Sequence, residues 1–236
     1  MKKVLSTIIA VAVATVVSYG QSTLGPGVMG SSLTVAGLPH NFSTAAWNPY
    51  NYTTTLGQQI CQPCHTPHNG QTGLEAPLWN HQMSTASYTL YESIKDNTTM
   101  GVTAIDGSSA LCLSCHDGTV ALSAFGGQTA TNYLTGGANF GNDLSNDHPI
   151  SINYASALAG GYGGLRQLTY LYSTWDTTLN AGAGGYTATT KAVSTMLDAN
   201  GKVQCTSCHG AHSNSRGYQL RMSNRGSALC LACHSK

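Results

Sequence analysis

The chain has 236 residues and a formal net charge of +1, and only 8% of its residues are charged, whereas about 25% is typical of soluble domains. Its ten basic residues form no run longer than Lys2-Lys3, so they make no patch that could follow a phosphate backbone, and nucleic-acid binding is excluded. With 27 glycines but only three Phe and three Trp, the chain offers little apolar bulk for a core made of protein alone.

The first twenty residues have the pattern of a secretory signal peptide. Lys2 and Lys3 form a positive start, residues 4–17 are mostly apolar, and residues 18–20 supply small side chains near a cleavage site. A run of fourteen residues is too short to cross a bilayer, and no other stretch is long enough. An anchored N-terminal helix is the alternative. We therefore expect an exported mature chain, residues 21–236, that does not span a membrane.

All eight cysteines fall in four runs of the form C-x-x-C-H. Two thiols about one helical turn apart can add to the two vinyl groups of a porphyrin, and the next histidine then lies under the iron, so this spacing is typical of c-type haem attachment. Disulfides or zinc sites would not require a histidine after every pair. The motifs predict four covalently bound haem c groups, with attachment through Cys61, Cys64, Cys112, Cys115, Cys205, Cys208, Cys230 and Cys233 and with proximal ligands His65, His116, His209 and His234.

The remaining five histidines are candidates for the second axial position of each iron. They are His40, His68, His81, His148 and His212. Nine histidines for eight positions predict that all four irons are bis-histidine and low-spin. We expect His81 to be the one that is not needed, because packing beside Trp79 explains its place. Methionine ligation stays open, although no feature requires it.

Two haem-pair units repeat along the chain, at residues 61–116 and 205–234. Each begins with C-x-x-C-H-x-x-H and ends with S-A-L-C-L-x-C-H. Residues 117–204 are rich in Gly and Tyr, and glycine pairs interrupt any helical or strand period, so we interpret them as a segment that wraps the haems. The sequence predicts a single tetrahaem domain over residues 21–236. This domain should be mostly irregular coil with short helices and few short strands, and the haems should form its core.

Two histidines follow a proximal histidine by three residues: His68 follows His65, and His212 follows His209. A residue one turn beyond the proximal ligand stays on the same side of that haem, so it must ligate a different haem or none. Ligands so close in sequence would hold two irons near each other. Close haems permit electron tunnelling, whereas catalysis would need an open iron position. We therefore predict an electron-transfer protein and not an enzyme.

Several segments resemble the paired-CXXCH multihaem cytochromes of metal-reducing bacteria, namely residues 61–69, 76–81, 88–91, 113–121, 146–150 and 220–224. Within that family, four haems, a signal peptide and this length are similar to the OmcE-type tetrahaem nanowire cytochromes. The likeness is sparse over residues 151–200. The resemblance implies an extracellular filament that conducts electrons to minerals, electrodes or partner cells. It also implies that His68 ligates a haem of the adjacent subunit.

The leading hypothesis is thus a conductive homopolymer at the outer cell surface, which exchanges electrons with redox partners and extracellular acceptors. A soluble periplasmic tetrahaem shuttle is the nearest alternative, but such proteins commonly recruit partners through a ring of lysines, and this chain has few basic residues. A multihaem reductase would need one five-coordinate iron, and the number of histidines argues against it.

Overall fold

The computed structural model describes residues 40–42, 60–92, 102–129, 131–173, 190–213 and 218–235. The predicted signal peptide, residues 1–20, lies outside these ranges, as do residues 174–189 of the Gly/Tyr-rich segment. Within the described ranges, no helix combines the length and the apolar character needed to cross a membrane.

Regular secondary structure is short wherever it occurs in the described residues. The α-helices are α1 (Gly107–His116), α2 (Tyr154–Ala159), α3 (Cys205–Cys208) and α4 (Ala228–Cys233). The strands are β1 (Ile152–Asn153), β2 (Leu171–Ser173), β3 (Thr190–Ala192) and β4 (Lys202–Val203). Single 3-10 turns lie at Gly136–Ala138, Tyr162–Gly164, Val193–Met196 and Arg225–Ser227. The remaining described chain is turns and coil, which confirms the predicted irregular fold with short helices and few strands.

The strands form two small antiparallel sheets. In one sheet β1 pairs with β4, so that Ile152 lies opposite Val203. In the other β2 pairs with β3, with Tyr172 opposite Lys191. The first sheet carries the chain directly into the third C-x-x-C-H motif, which begins two residues after β4.

Three of the four α-helices in the described residues coincide with haem motifs, as the sequence predicts. Helices α1, α3 and α4 contain the second, third and fourth cysteine pairs. The first motif makes one helical turn, in which the His65 N–H donates to the Cys61 carbonyl at 2.8 Å. After α1 the chain reverses at Gly118, whose φ is +71° and whose Cβ position would lie 2.2 Å from Asn139 Nδ2. Only glycine fits there.

Buried apolar residues form several small clusters and no continuous layer. The largest contains Val102, Ile152, Tyr154, Ala157, Val193 and Val203. A second contains Tyr172, Met196, Met222, Leu229 and Ala232, and Cys208 and Cys233 pack against it. The apolar residues therefore gather beside the haem motifs, as expected for a fold whose centre is made partly of cofactor.

A polar cluster joins the two repeated units, which we call the unit junction: Asp106, Ser109, Ser151, Asp198 and Gln204. The N-termini of α1 and α3 meet here, and the Cys205 N–H donates to Ser109 Oγ at 3.0 Å. On the surface beside it, Ser108 Oγ lies 2.6 Å from Thr206 Oγ1, and Lys202 pairs with Asp106. The second and third haem motifs are thus held against each other by polar side chains.

Candidate haem centres

All eight cysteines are free thiols, and each motif presents its two thiols one turn apart. The histidine N–H of the first, third and fourth motifs donates to the carbonyl of the first cysteine at 2.8, 3.0 and 2.9 Å. Residues three apart on a helical turn share one face, so both sulfurs can reach one porphyrin edge. The C-x-x-C-H motifs indicate covalently bound c-type haem.

The thiols differ in how readily they ionise before haem attachment. Burial raises the pKa of Cys64 to about 11 and that of Cys233 to about 11. In contrast, the neighbouring Cys112 thiol lowers the pKa of Cys205 to about 7, while the pKa of Cys112 is raised well above its usual value. The two thiols therefore interact across the unit junction.

Three of the proximal histidines have Nδ1 directed at a backbone carbonyl. The Nδ1 atoms of His65, His116 and His209 lie 2.8, 2.8 and 2.9 Å from the carbonyls of Pro77, Ala138 and Tyr218. A metal-bound histidine almost always donates its other ring N–H in this way, which fixes the ring and leaves Nε2 for the metal. The backbone of His234 is held by Arg166, whose Nε–H donates to its carbonyl at 3.0 Å.

Six of the histidines form three ring pairs. The centroid distances are 6.0 Å for His40 and His116, 6.1 Å for His65 and His212, and 6.3 Å for His148 and His234. Each pair contains one C-x-x-C-H histidine and one of the other five. A metal–imidazole bond is about 2.0 Å long, so imidazoles on opposite sides of one metal ion have centroids about 6 Å apart. The spacing of all three pairs fits a bis-histidine haem.

Side chains around these pairs suit a flat apolar cofactor. Phe42 stacks on His40 and Phe140 on His116, at 6.1 and 5.8 Å between centroids. Beside His148 lies an apolar pocket lined by Leu90, Val102, Ile105, Leu144, Ile150 and Ile152. In the described part of the chain, no three Cys, His, Asp or Glu side chains are grouped to hold a metal ion. Each histidine pair offers two axial nitrogens, and a haem supplies the other four.

His40 is the paired histidine with the most perturbed protonation. Burial, together with the nearby His116, lowers the pKa of His40 to about 4. Its Nδ1 lies 3.3 Å from the Ala211 carbonyl. The ring is therefore neutral at pH 7, which is the form that binds a metal.

Two of the histidines that are predicted to ligate iron belong to none of the three ring pairs. His209, the proximal histidine of the third motif, is exposed at the surface, and His68 is exposed as well. The local backbone of His68 is fixed by Thr66, whose hydroxyl donates to the His68 carbonyl at 2.8 Å. The described fold therefore leaves one proximal and one additional histidine facing outward.

Both ring nitrogens of His81 face carbonyl oxygens. Its Nδ1 lies 2.9 Å from the Gln82 carbonyl and its Nε2 3.1 Å from the Ala121 carbonyl. The residue is 1% exposed, and its Nε2 also lies 3.4 Å from Cys115 Sγ. These contacts place the His81 ring beside an attachment cysteine.

We expect His81→Ala to keep four low-spin irons, whereas His40→Ala should convert one iron to high-spin. The reason is that the centroids of the His40 and His116 rings lie 6.0 Å apart, the spacing of two axial imidazoles, whereas His81 belongs to none of the three ring pairs. Electron paramagnetic resonance of the oxidised variants measures this. Loss of a low-spin signal in His81→Ala alone would reverse the assignment.

Two features of the site could not be predicted from the sequence. The carbonyls of Pro77, Ala138 and Tyr218 that orient the ligands are backbone atoms, which any residue could supply. The buried Asp117 carboxylate, which accepts from Tyr88 Oη at 2.6 Å and from the Thr119 N–H at 2.8 Å, fixes the turn after the second motif. The sequence marks it only by its place directly after His116.

Comparison with known families agrees with this geometry. Residues 199–236 match the family model described as a doubled CXXCH motif, and this match contains the third and fourth motifs. No curated protein matches the chain. The match supports a multihaem c-type cytochrome, a class of protein that takes part in electron transfer.

Proposed function

We propose that this protein conducts electrons through four covalently bound haems and assembles into an extracellular filament. The observation that carries the proposal is the set of three histidine ring pairs at 6.0–6.3 Å together with one outward-facing proximal histidine. When bound, each haem supplies an iron that alternates between Fe(II) and Fe(III).

The three ring pairs favour one assignment of axial histidines to irons. The histidines His65 and His212 would hold the first iron, His116 and His40 the second, and His234 and His148 the fourth. With both axial positions filled, none of these irons offers a site for a substrate, which supports electron transfer over a reductase. His81 then has no ligand role.

One short segment ties the two units together in this assignment. His209 would hold the third iron and His212 the first, although they are separated by only two residues. Four residues span at most about 11 Å of backbone, so the two irons must lie close together. Electron transfer between the units follows from this proximity.

A neighbouring molecule would supply the second axial ligand of the third iron. His209 needs a second axial ligand, and His68 is exposed and outside the three pairs. We propose that His68 of one subunit ligates the iron held by His209 of the next. Because every subunit carries both groups on its surface, such bonds generate an open chain of subunits, as a heterologous interface does. The low charge of the chain also favours contact between copies.

The same chemistry would suit a periplasmic tetrahaem shuttle if the third iron took another ligand. Export through the predicted signal peptide is common to both proposals. The alternatives differ in assembly and in the state of the third iron.

Electron microscopy of the secreted material, combined with electron paramagnetic resonance of the oxidised protein, tests the proposal. We expect filaments with only low-spin iron and four haems per chain by pyridine haemochrome. Dissociated subunits should show one high-spin iron in four, because separation removes His68 from its partner. Monomers in the periplasm with four low-spin irons would support the shuttle instead, and fewer than four haems would contradict the tetrahaem proposal.

A further inference from the structure

Gln204 lies at the centre of the unit junction, directly before the third motif. Its side chain is 1% exposed. The amide nitrogen donates to Asp106 Oδ1 at 3.1 Å and to Asp198 Oδ2 at 3.0 Å. Its oxygen accepts from the Ser109 N–H at 3.3 Å. A buried amide with all of its main partners in place is a rigid connection.

The contacts of Gln204 replace the usual cap of α1. Asp106, at the N-cap position, makes no side-chain cap bond to the helix. Instead, the first free N–H groups are satisfied from remote parts of the chain, since Ser108 N–H donates to Glu75 Oε2 at 3.0 Å and Ser109 N–H to Gln204. The orientation of the helix that carries the second motif therefore depends on a side chain from the third.

The fit around the amide is close. A Cβ at Gly107 would lie 2.6 Å from Gln204 Nε2. Glycine at this position, with φ of +56°, lets the backbone of α1 approach the amide directly. A glutamate could not donate to two carboxylates, and an apolar side chain could bond to neither carboxylate nor N–H.

The sulfur atoms that the junction brings together belong to different haems. The thiols of Cys112 and Cys205 interact across the junction, and the Cys205 N–H is itself bonded to Ser109 Oγ in α1. After attachment each sulfur is bonded to the edge of its own porphyrin. The junction would thus set how the edges of the haems on the second and third motifs face each other.

We propose that Gln204 is a positioning residue for electron transfer between the second and third haems, an inference that rests on the proposed function. His116 would hold one of these haems and His209 the other, and the bound haems would supply the one-electron exchange, in which no bond or proton changes. Gln204 touches neither iron. It acts through α1 and α3 by fixing the two attachment sulfurs side by side.

The test compares Gln204→Leu with Gln128→Leu, which makes the same change at an exposed glutamine. Circular dichroism of the oxidised holoprotein in the Soret region reports the distance and angle between neighbouring haems, because their coupled transitions give two bands of opposite sign, the couplet. We expect the couplet of Gln204→Leu to be smaller than that of the unaltered protein at temperatures well below unfolding, while the variant keeps four low-spin haems. Gln128→Leu should match the unaltered protein. A purely stabilising role would lower the unfolding temperature and leave the couplet unchanged, which would overturn the proposal.

A second variant covers the case in which Gln204→Leu does not load its haems. Ser108→Ala removes only the exposed bond to Thr206 Oγ1 between the same two helices and should cause a smaller change of the couplet in the same direction. An unchanged couplet in this variant would then overturn the inference. A different result would contradict the proposed function itself, namely an unaltered protein that lacks four bis-histidine haems.

Discussion

Subunits that carry His68→Ala should keep four attached haems, gain one high-spin iron and form no filaments. Haem attachment uses the sulfurs of Cys61 and Cys64 and does not involve His68, so the haem content should not change. The ligand that His68 donates to the next subunit would be missing, and the iron held by His209 would become five-coordinate or bind water. Haem quantification, electron paramagnetic resonance and electron microscopy measure the three effects.

Free imidazole separates ligation from assembly in this variant. Added imidazole should restore the low-spin signal of His68→Ala, because it can occupy the open iron position, but it cannot link two subunits. Thr72→Ala, a change at an exposed residue four positions after His68, should leave both spin state and filaments intact. Fully low-spin filaments of His68→Ala would show that the ligand comes from within the subunit, and the proposed assembly would be wrong.

The variant His212→Ala should also produce one high-spin iron, but without loss of the filaments. The His212 ring lies 6.1 Å from that of His65 in the same subunit, so its removal opens the first iron and leaves the bond between subunits untouched. The high-spin signal should be present in filaments and in dissociated subunits alike. In dissociated subunits it should add to the signal of the third iron, which gives two high-spin irons in four.

Spin quantification before and after dissociation distinguishes the two histidine variants. His68→Ala should form no filaments and its third iron is open from the start, so its high-spin fraction should stay at one iron in four under the same dissociating conditions. If His212→Ala remained fully low-spin as a filament, His65 would have another partner, and the ring pairs would not be ligand pairs.

The sequence was sufficient for the fold class, and it also indicates covalently bound c-type haem. In C-x-x-C-H the attachment sulfurs and the proximal ligand are local, so a single helical turn determines their geometry. The irregular fold follows from the glycine-rich composition and the few large apolar residues, and it is confirmed.

The pairing of distal histidines could not be predicted in the same way. His40 meets His116, and His148 meets His234, only after the chain has folded, and no local period records such contacts. The two carbonyl oxygens that face the ring nitrogens of His81 are also tertiary contacts, so they could not be predicted from the sequence. The role of Gln204 could not be predicted either, because a glutamine before a haem motif has no special meaning in the sequence. Its partners Asp106 and Asp198 are brought to it only by the fold.

The interaction between the thiols of Cys112 and Cys205 also constrains how the protein is made. Before haem is attached, a thiol with a pKa of about 7 lies against a second thiol, and such a pair forms a disulfide readily under oxidising conditions. That bridge would remove one attachment sulfur from each of two motifs. For a chain exported to an oxidising compartment, as we propose, maturation therefore requires a reductant that keeps these cysteines reduced until both haems are bound, or attachment of one haem before the two units come together.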